Sequence, residues 1–172
     1  MKIRGFFLIL MIILAQNSFT EVFRTAVFAP NIKTLSSGIR DVKYSLAHIE
    51  LNSQQVLDFS FDEMSHDTKA FSYRVVHCNA DWTLSELAST EYLEGYTHLD
   101  ITQSERSVNT AYLYTHYRFQ LPNDEMRFRV SGNYVVQIYQ DNQQEKPVAQ
   151  VCFSVYEPKA GIDATIRPNT DT

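Results

Sequence analysis

Apolar and polar residues alternate in step through much of this chain. Leu57, Phe59 and Phe61 share one face of an extended segment, while Asp58, Ser60 and Asp62 share the other. Phe71, Tyr73, Val75 and His77 stand in the same way against Ser72, Arg74, Val76 and Cys78. A period of two over such lengths predicts half-buried β-strands, because successive side chains of a strand leave opposite faces. Leu46, His48 and Glu50 against Ala47, Ile49 and Leu51 predict another strand. A short one is expected over residues 32–35, closed by the turn cluster Ser36, Ser37 and Gly38.

The second half carries the same signature with more aromatic residues. A weak strand is expected over residues 98–103 and a polar turn over 104–109. Residues 111–120 follow, with Tyr112, Tyr114 and His116 on one side and Leu113, Tyr117 and Phe119 on the other. Pro122, Asn123 and Asp124 turn the chain before Met126, Phe128 and Val130. Residues 134–140 and 148–156 complete the set around a polar hairpin loop. Gly132 and Tyr134 resemble the approach to a tyrosine corner, although Val136 stands where an antibody domain has its second cysteine. Eight or nine short strands with almost no helical period predict an all-β, immunoglobulin-like two-sheet β-sandwich.

The alternation stops at His77, Cys78, Asn79, Ala80, Asp81 and Trp82, the last being the only tryptophan. From there to residue 97 the apolar positions are irregular, which predicts one long structured connection with at most a turn or two of helix. Connections longer than about 12 to 15 residues in a compact domain are uncommon and often functional. Residues 79–97 are therefore the place to expect a partner-binding surface, with Asn79, Asp81, Trp82, Leu84, Leu87, Tyr92 and Tyr96 as its contacts. Asp81 is expected to accept from nearby backbone N–H groups and Trp82 to pin the connection.

At the N-terminus Lys2 and Arg4 precede an uncharged apolar run over residues 6–15, the build of an export signal. The run falls short of the roughly 20 residues a membrane span requires, so residues 1–15 are read as a cleaved signal. Neither cysteine, Cys78 or Cys152, follows that run where a lipoprotein would need one. Losing Lys2 and Arg4 would leave 13 basic against 20 acidic residues, a charge of −7. That sign excludes nucleic acid and anionic membrane surfaces as natural partners. Residues 16–157 are expected to form the single domain. Within it, residues 16–29 show no clear period and are open between an edge strand and an ordered arm. Residues 158–172, with Pro158, Gly161 and Pro168, read as a linker towards a missing second domain.

Several chemistries can be drawn on paper. His77, Cys78, Asp81 and His116 are metal-ligand types, but neighbours on a strand point to opposite faces and no paired spacing recurs. A nucleophilic Cys78 would need an electropositive pocket that this acidic chain does not offer. Asp58, Asp62, Glu63 and Asp81 supply carboxylates for glycoside hydrolysis, as any acidic sandwich does. No catalytic residue, metal site or cofactor is expected. After export, Cys78 and Cys152 are open between a disulfide and two buried thiols. The tyrosines at 112, 114, 117, 134 and 139 are open between a carbohydrate- or peptide-binding face and sheet packing.

The order of motifs points further. Residues 57–62 (LDFSFD), 73–82 (YRVVHCNADW) and 91–96 (EYLEGY), followed by Ser107-Val108-Asn109-Thr110, Tyr114-Thr115-His116-Tyr117, Leu121-Pro122-Asn123 and Ser131-Gly132-Asn133-Tyr134, resemble the N-terminal domain of the type IX secretion system plug protein family of Bacteroidota. Arg167 to Asp171 look like that family's passage into a second domain. The resemblance implies a periplasmic, non-enzymatic protein. Such a protein docks on the outer-membrane translocon β-barrel of type IX secretion and closes its periplasmic opening, without inserting into the membrane itself.

Overall fold

A computed structural model describes residues 21–65, 67–141, 146–161 and 163. The expected signal over residues 1–15 lies outside the described residues, as does the end of the expected linker over 164–172. Among the described residues, twelve strands and one short helix follow in order: β1 Ala26–Val27, β2 Ile32–Ile39, β3 His48–Glu50, β4 Leu57–Glu63 and β5 Phe71–Cys78 come first. Then come α1 Ser89–Tyr92, β6 Leu93–Gly95, β7 His98–Asp100, β8 Gln103–Arg106, β9 Thr115–Leu121, β10 Met126–Phe128, β11 Gly132–Gln140 and β12 Ala149–Tyr156.

These strands build the expected all-β sandwich. One main sheet has the order β1-β12-β11-β5-β7, with β3 also on β12, the second has β2-β4-β9-β8, and β10 and β6 pair as a separate two-stranded sheet. Antiparallel pairing dominates; β3 runs parallel to the end of β12, opposite Ser154 to Tyr156. The alternating faces meet between the sheets. Phe59, Phe61, Tyr117, Phe119 and Leu121 of one sheet pack against Phe71, Tyr73, Tyr134, Val136 and Phe153 of the other. Rings interlock across the gap, with Tyr73 stacked on Phe119 at 4.3 Å and Phe59 edge-on to Phe153 at 5.6 Å. Each such aromatic side chain contributes roughly 1.5–3 kcal/mol by burial alone, which is what holds the layers together.

The tyrosine corner is present: the Tyr134 hydroxyl donates to the Val130 carbonyl at 2.7 Å. Over residues 21–29, the described part of the N-terminal stretch, both readings hold at once. Ala26 and Val27 pair with β12, while residues 21–25 form an arm over that sheet's outer face, where Phe23 packs on Cys78 and Val135.

The structure departs from the sequence pattern at four places. Ser36, Ser37 and Gly38 do not end β2, which pairs on with β4 to Ile39 through a bulge after Lys33. An edge strand needs only one apolar face and one bonded partner, so small polar residues are tolerated there. Over residues 46–51 only His48–Glu50 pair, because β1 already occupies the start of the same side of β12. The polar segment over 104–109 is not all turn, since Gln103–Arg106 form β8, an exposed edge strand on β9. Residues 111–114 stay outside β9.

Candidate docking surface

At the end of the sandwich where β5 stops and β11 begins, residues 79–97 form the long connection, and it is buttressed along its length. Asn79 and Thr83 close its first turn, with the Asn79 N–H donating to the Thr83 carbonyl at 2.8 Å. Asp81 accepts from the Thr83 hydroxyl at 2.6 Å and from the Thr83 N–H at 3.1 Å. Those two bonds stabilise the carboxylate and hold the Asp81 pKa below its ordinary value. Trp82, at φ 65°, packs half-buried on Cys78, Val135 and Phe23, and its carbonyl accepts from the Phe23 N–H at 2.9 Å. The connection is thereby tied to the sheet's outer face, not left swinging from the strand end.

Its second half is sewn to the opposite hairpin. At the start of α1, the N–H of the capping residue Ala88 donates to the Glu91 carboxylate at 2.6 Å. The Arg129 N–H donates to the Tyr92 carbonyl at 3.0 Å, and β6 pairs with β10. Gly95, at φ 95°, carries the close approach, because a Cβ there would fall on the Glu125 carbonyl. Gly95→Ala therefore combines backbone strain with a backbone clash and is expected to cost about 2–3 kcal/mol, read as a lowered urea midpoint at unchanged slope.

Of the predicted contacts, Leu84, Leu87 and Tyr96 are exposed large apolar side chains, at 56%, 40% and 62% relative exposure. Asn79 and Asp81 are exposed and occupied in the first turn. Tyr92 is different: its ring is buried against His77 and Tyr134, so it supports the surface from beneath. One neighbour was not legible in the pattern. An open cleft of about 430 Å³ lies between residues 50–56 and the hairpin before β10, lined by Leu51, Gln55, Pro122, Asn123, Arg127 and Phe128. The sequence marked Pro122 to Asp124 only as a turn, and no local signal pairs it with residues 50–56.

The alternative chemistries come apart in three dimensions. His77 lies on the core face of β5 and Cys78 on the outer face, while His116 is on the other sheet, bonded to Asp62 at 2.7 Å. Burial, with Cys152 nearby, pushes the Cys78 thiol up to about 12, the reverse of what a nucleophile needs. Cys78 and Cys152 are free thiols on strands that flank β11. Their Cα atoms are thus separated by two strand spacings, roughly 10 Å, beyond the ~7 Å a disulfide tolerates. Asp58 is bonded to Gln120 and Glu63 to Lys69 and Asn31, so these carboxylates do not converge on one place. Tyr117, Tyr134 and Tyr139 are buried and Tyr112 is exposed, so the five tyrosines form no common face.

What remains is an all-β sandwich domain with one elaborated, buttressed loop end and exposed apolar side chains on it. Residues 32–157 match the model of the type 9 secretion system plug protein 1st domain, and the chain belongs to that family. The family is a non-enzymatic structural component of secretion. The crystal structure of a hypothetical protein from Parabacteroides merdae is similar at 37% identity and a TM-score of 0.78, over 80% of this chain and 35% of that one. The chain thus spans about a third of that protein's length. An alkylpurine DNA glycosylase from Pseudomonas fluorescens, bound to DNA containing an abasic site analog, aligns over 73% of this chain and 30% of that one at 12% identity and a TM-score of 0.37, too low to carry an argument. No curated protein matches the chain.

Proposed function

We propose that this domain is the part of a periplasmic plug that docks on the outer-membrane translocon β-barrel of type IX secretion and closes its periplasmic opening. Membership of the plug family over residues 32–157 is the observation that carries this reading. The structure supports it in physical terms. A plug must be a preformed body, and the connection that bears Leu84, Leu87 and Tyr96 is braced by β10 and Trp82. A docking patch of that kind, inside an interface of about 1,000–1,600 Å², allows reversible closure without a permanent hydrophobic seal.

The test is capture from cell envelopes with the tagged domain. The wild-type chain is expected to retain an outer-membrane β-barrel of the translocon. Replacing Leu84, Leu87 and Tyr96 together by serine is expected to reduce capture at least tenfold, the loss of about 1.4 kcal/mol or more of apolar contact. The thermal midpoint should stay unchanged, since all three side chains are exposed. Undiminished capture by the triple variant would remove the docking surface, and absence of any barrel from the wild-type eluate would remove the plug reading itself.

A further inference from the structure

We propose that His77 is a pH-sensitive latch beneath the docking connection, whose protonation drives Tyr92 off the sandwich and loosens residues 84–95. Its consequence for docking rests on the function proposed above; the latch itself is a property of the fold. His77 stands at the end of β5 on the core face, 8% exposed, and neither ring nitrogen makes a well-formed hydrogen bond among the described residues, the Ser131 backbone offering only a poorly aligned one. Tyr134 meets the ring edge-on at 5.0 Å and 88°, and Tyr92 lies against it at 5.7 Å. Gly132 closes the third side so tightly that a Cβ there would run into His77 Nε2.

This niche accepts a neutral ring and resists a charged one. An imidazolium carries two N–H donors that need acceptors, and a buried charge without a counter-ion is expensive. The titratable groups facing it are the phenols of Tyr92 on α1 and Tyr134 on β11, both kept neutral by burial. On its own strand Cys78 points to the opposite face. From the segment before β11, the Ser131 backbone favours the charged form, but by less than burial opposes it, so the His77 pKa lies below its ordinary 6.5.

Of the two walls, Tyr92 is the one that can give way. Tyr134 belongs to β11, which is bonded on both sides by β5 and β12 and anchored by its corner bond to Val130. Tyr92 ends a four-residue helix and is held by fewer bonds: one from the Arg129 N–H to its carbonyl, one between its hydroxyl and the His77 backbone, and the three-residue pairing of the following β6 with β10. The closed state binds the His77 proton more weakly than the open one. Closure is therefore complete above the free pKa of about 6.5, and the closed-to-open ratio falls by up to about tenfold per pH unit below it.

Amide hydrogen exchange of residues 84–95, corrected for intrinsic rates, tests this at about pH 7.5 and pH 5.5, on either side of the free histidine value. The wild-type chain is expected to lose protection several-fold at the lower pH, with a midpoint matching the His77 ring titration by nuclear magnetic resonance. His77→Phe, which keeps a ring but cannot titrate, is expected to abolish the change, and His77→Gln serves if the phenylalanine variant does not fold. His98→Phe, at the other histidine with a buried unpartnered nitrogen, should retain it. Protection that is flat with pH in the wild type, or a change that survives at His77→Phe or His77→Gln, would overturn the latch. Exchange that responds while translocon capture does not would uphold the latch and count against the docking role alone.

Discussion

Tyr134→Ala is expected to destabilise the domain by about 4 kcal/mol, enough to leave a marginally stable sandwich largely unfolded at 37 °C. The side chain is fully buried and its ring is the hub of an aromatic cluster, with Phe128 at 4.9 Å, His77 at 5.0 Å, Phe153 at 5.5 Å and Tyr92 at 6.1 Å. Alanine would leave a cavity that β11, bonded on both sides, cannot collapse to fill. Tyr134→Phe separates the two roles of the residue. It keeps the packing and removes only the bond to the Val130 carbonyl, so about 1–1.5 kcal/mol is expected. Equilibrium urea unfolding of both variants measures the difference, and a phenylalanine variant as unstable as the alanine one would show that the corner bond, not the packing, dominates.

Glu63→Ala is the second large effect, about 3 kcal/mol, and it carries a pH signature. The carboxylate is fully buried at the end of β4, where it accepts from Lys69 at 2.8 Å, Asn31 at 2.7 Å and Ser65 at 2.5 Å. These partners come from the β1–β2 turn and from the segment crossing to β5, so one side chain ties together the passage between the sheets. Lys69 is partly exposed and can turn to water when Glu63 is removed, which keeps the cost at the lower end for a broken buried pair. Burial by itself would raise the Glu63 pKa, but the bonds from Lys69, Ser65 and Asn31 outweigh it and hold it below 4.5. Its contribution is therefore fully present above about 4.5 and is lost as the pH falls through the depressed value. Glu63→Gln should flatten the acid limb of a stability-against-pH curve between about pH 5 and pH 3, while a wild-type limb retained in that variant would assign acid sensitivity to other carboxylates.

Strand assignment was most legible where the period of two was strong. Leu57, Phe59 and Phe61, or Phe71, Tyr73 and Val75, announce their inward faces because a strand that buries one side must place apolar residues at every second position. The Tyr134 corner was readable for the same reason, since its glycine and tyrosine sit at a fixed offset from the strand start. The order of short motifs was sufficient to mark the family that the comparison over residues 32–157 shows. Local signals also foresaw the Asp81 turn and the packing of Trp82.

What the pattern does not encode is which strand lies beside which, because pairing joins residues far apart in sequence and carries no local signature. Only the tertiary structure decided that Ser36 to Gly38 continue an edge strand on β4, and that Gln103 to Arg106 form another on β9. It placed β11 between Cys78 and Cys152, and it put Tyr92 beneath the docking surface with Tyr117, Tyr134 and Tyr139 in the interior. It also set His77 in a niche walled by Tyr92 and Tyr134 and closed by Gly132. The sequence by itself determined the alternating faces, and with them an all-β sandwich, while the resemblance of its motifs marked the family. The tertiary structure determined which aromatic and polar residues of the loop end meet water, since exposure depends on neighbours that only the packed sheets supply.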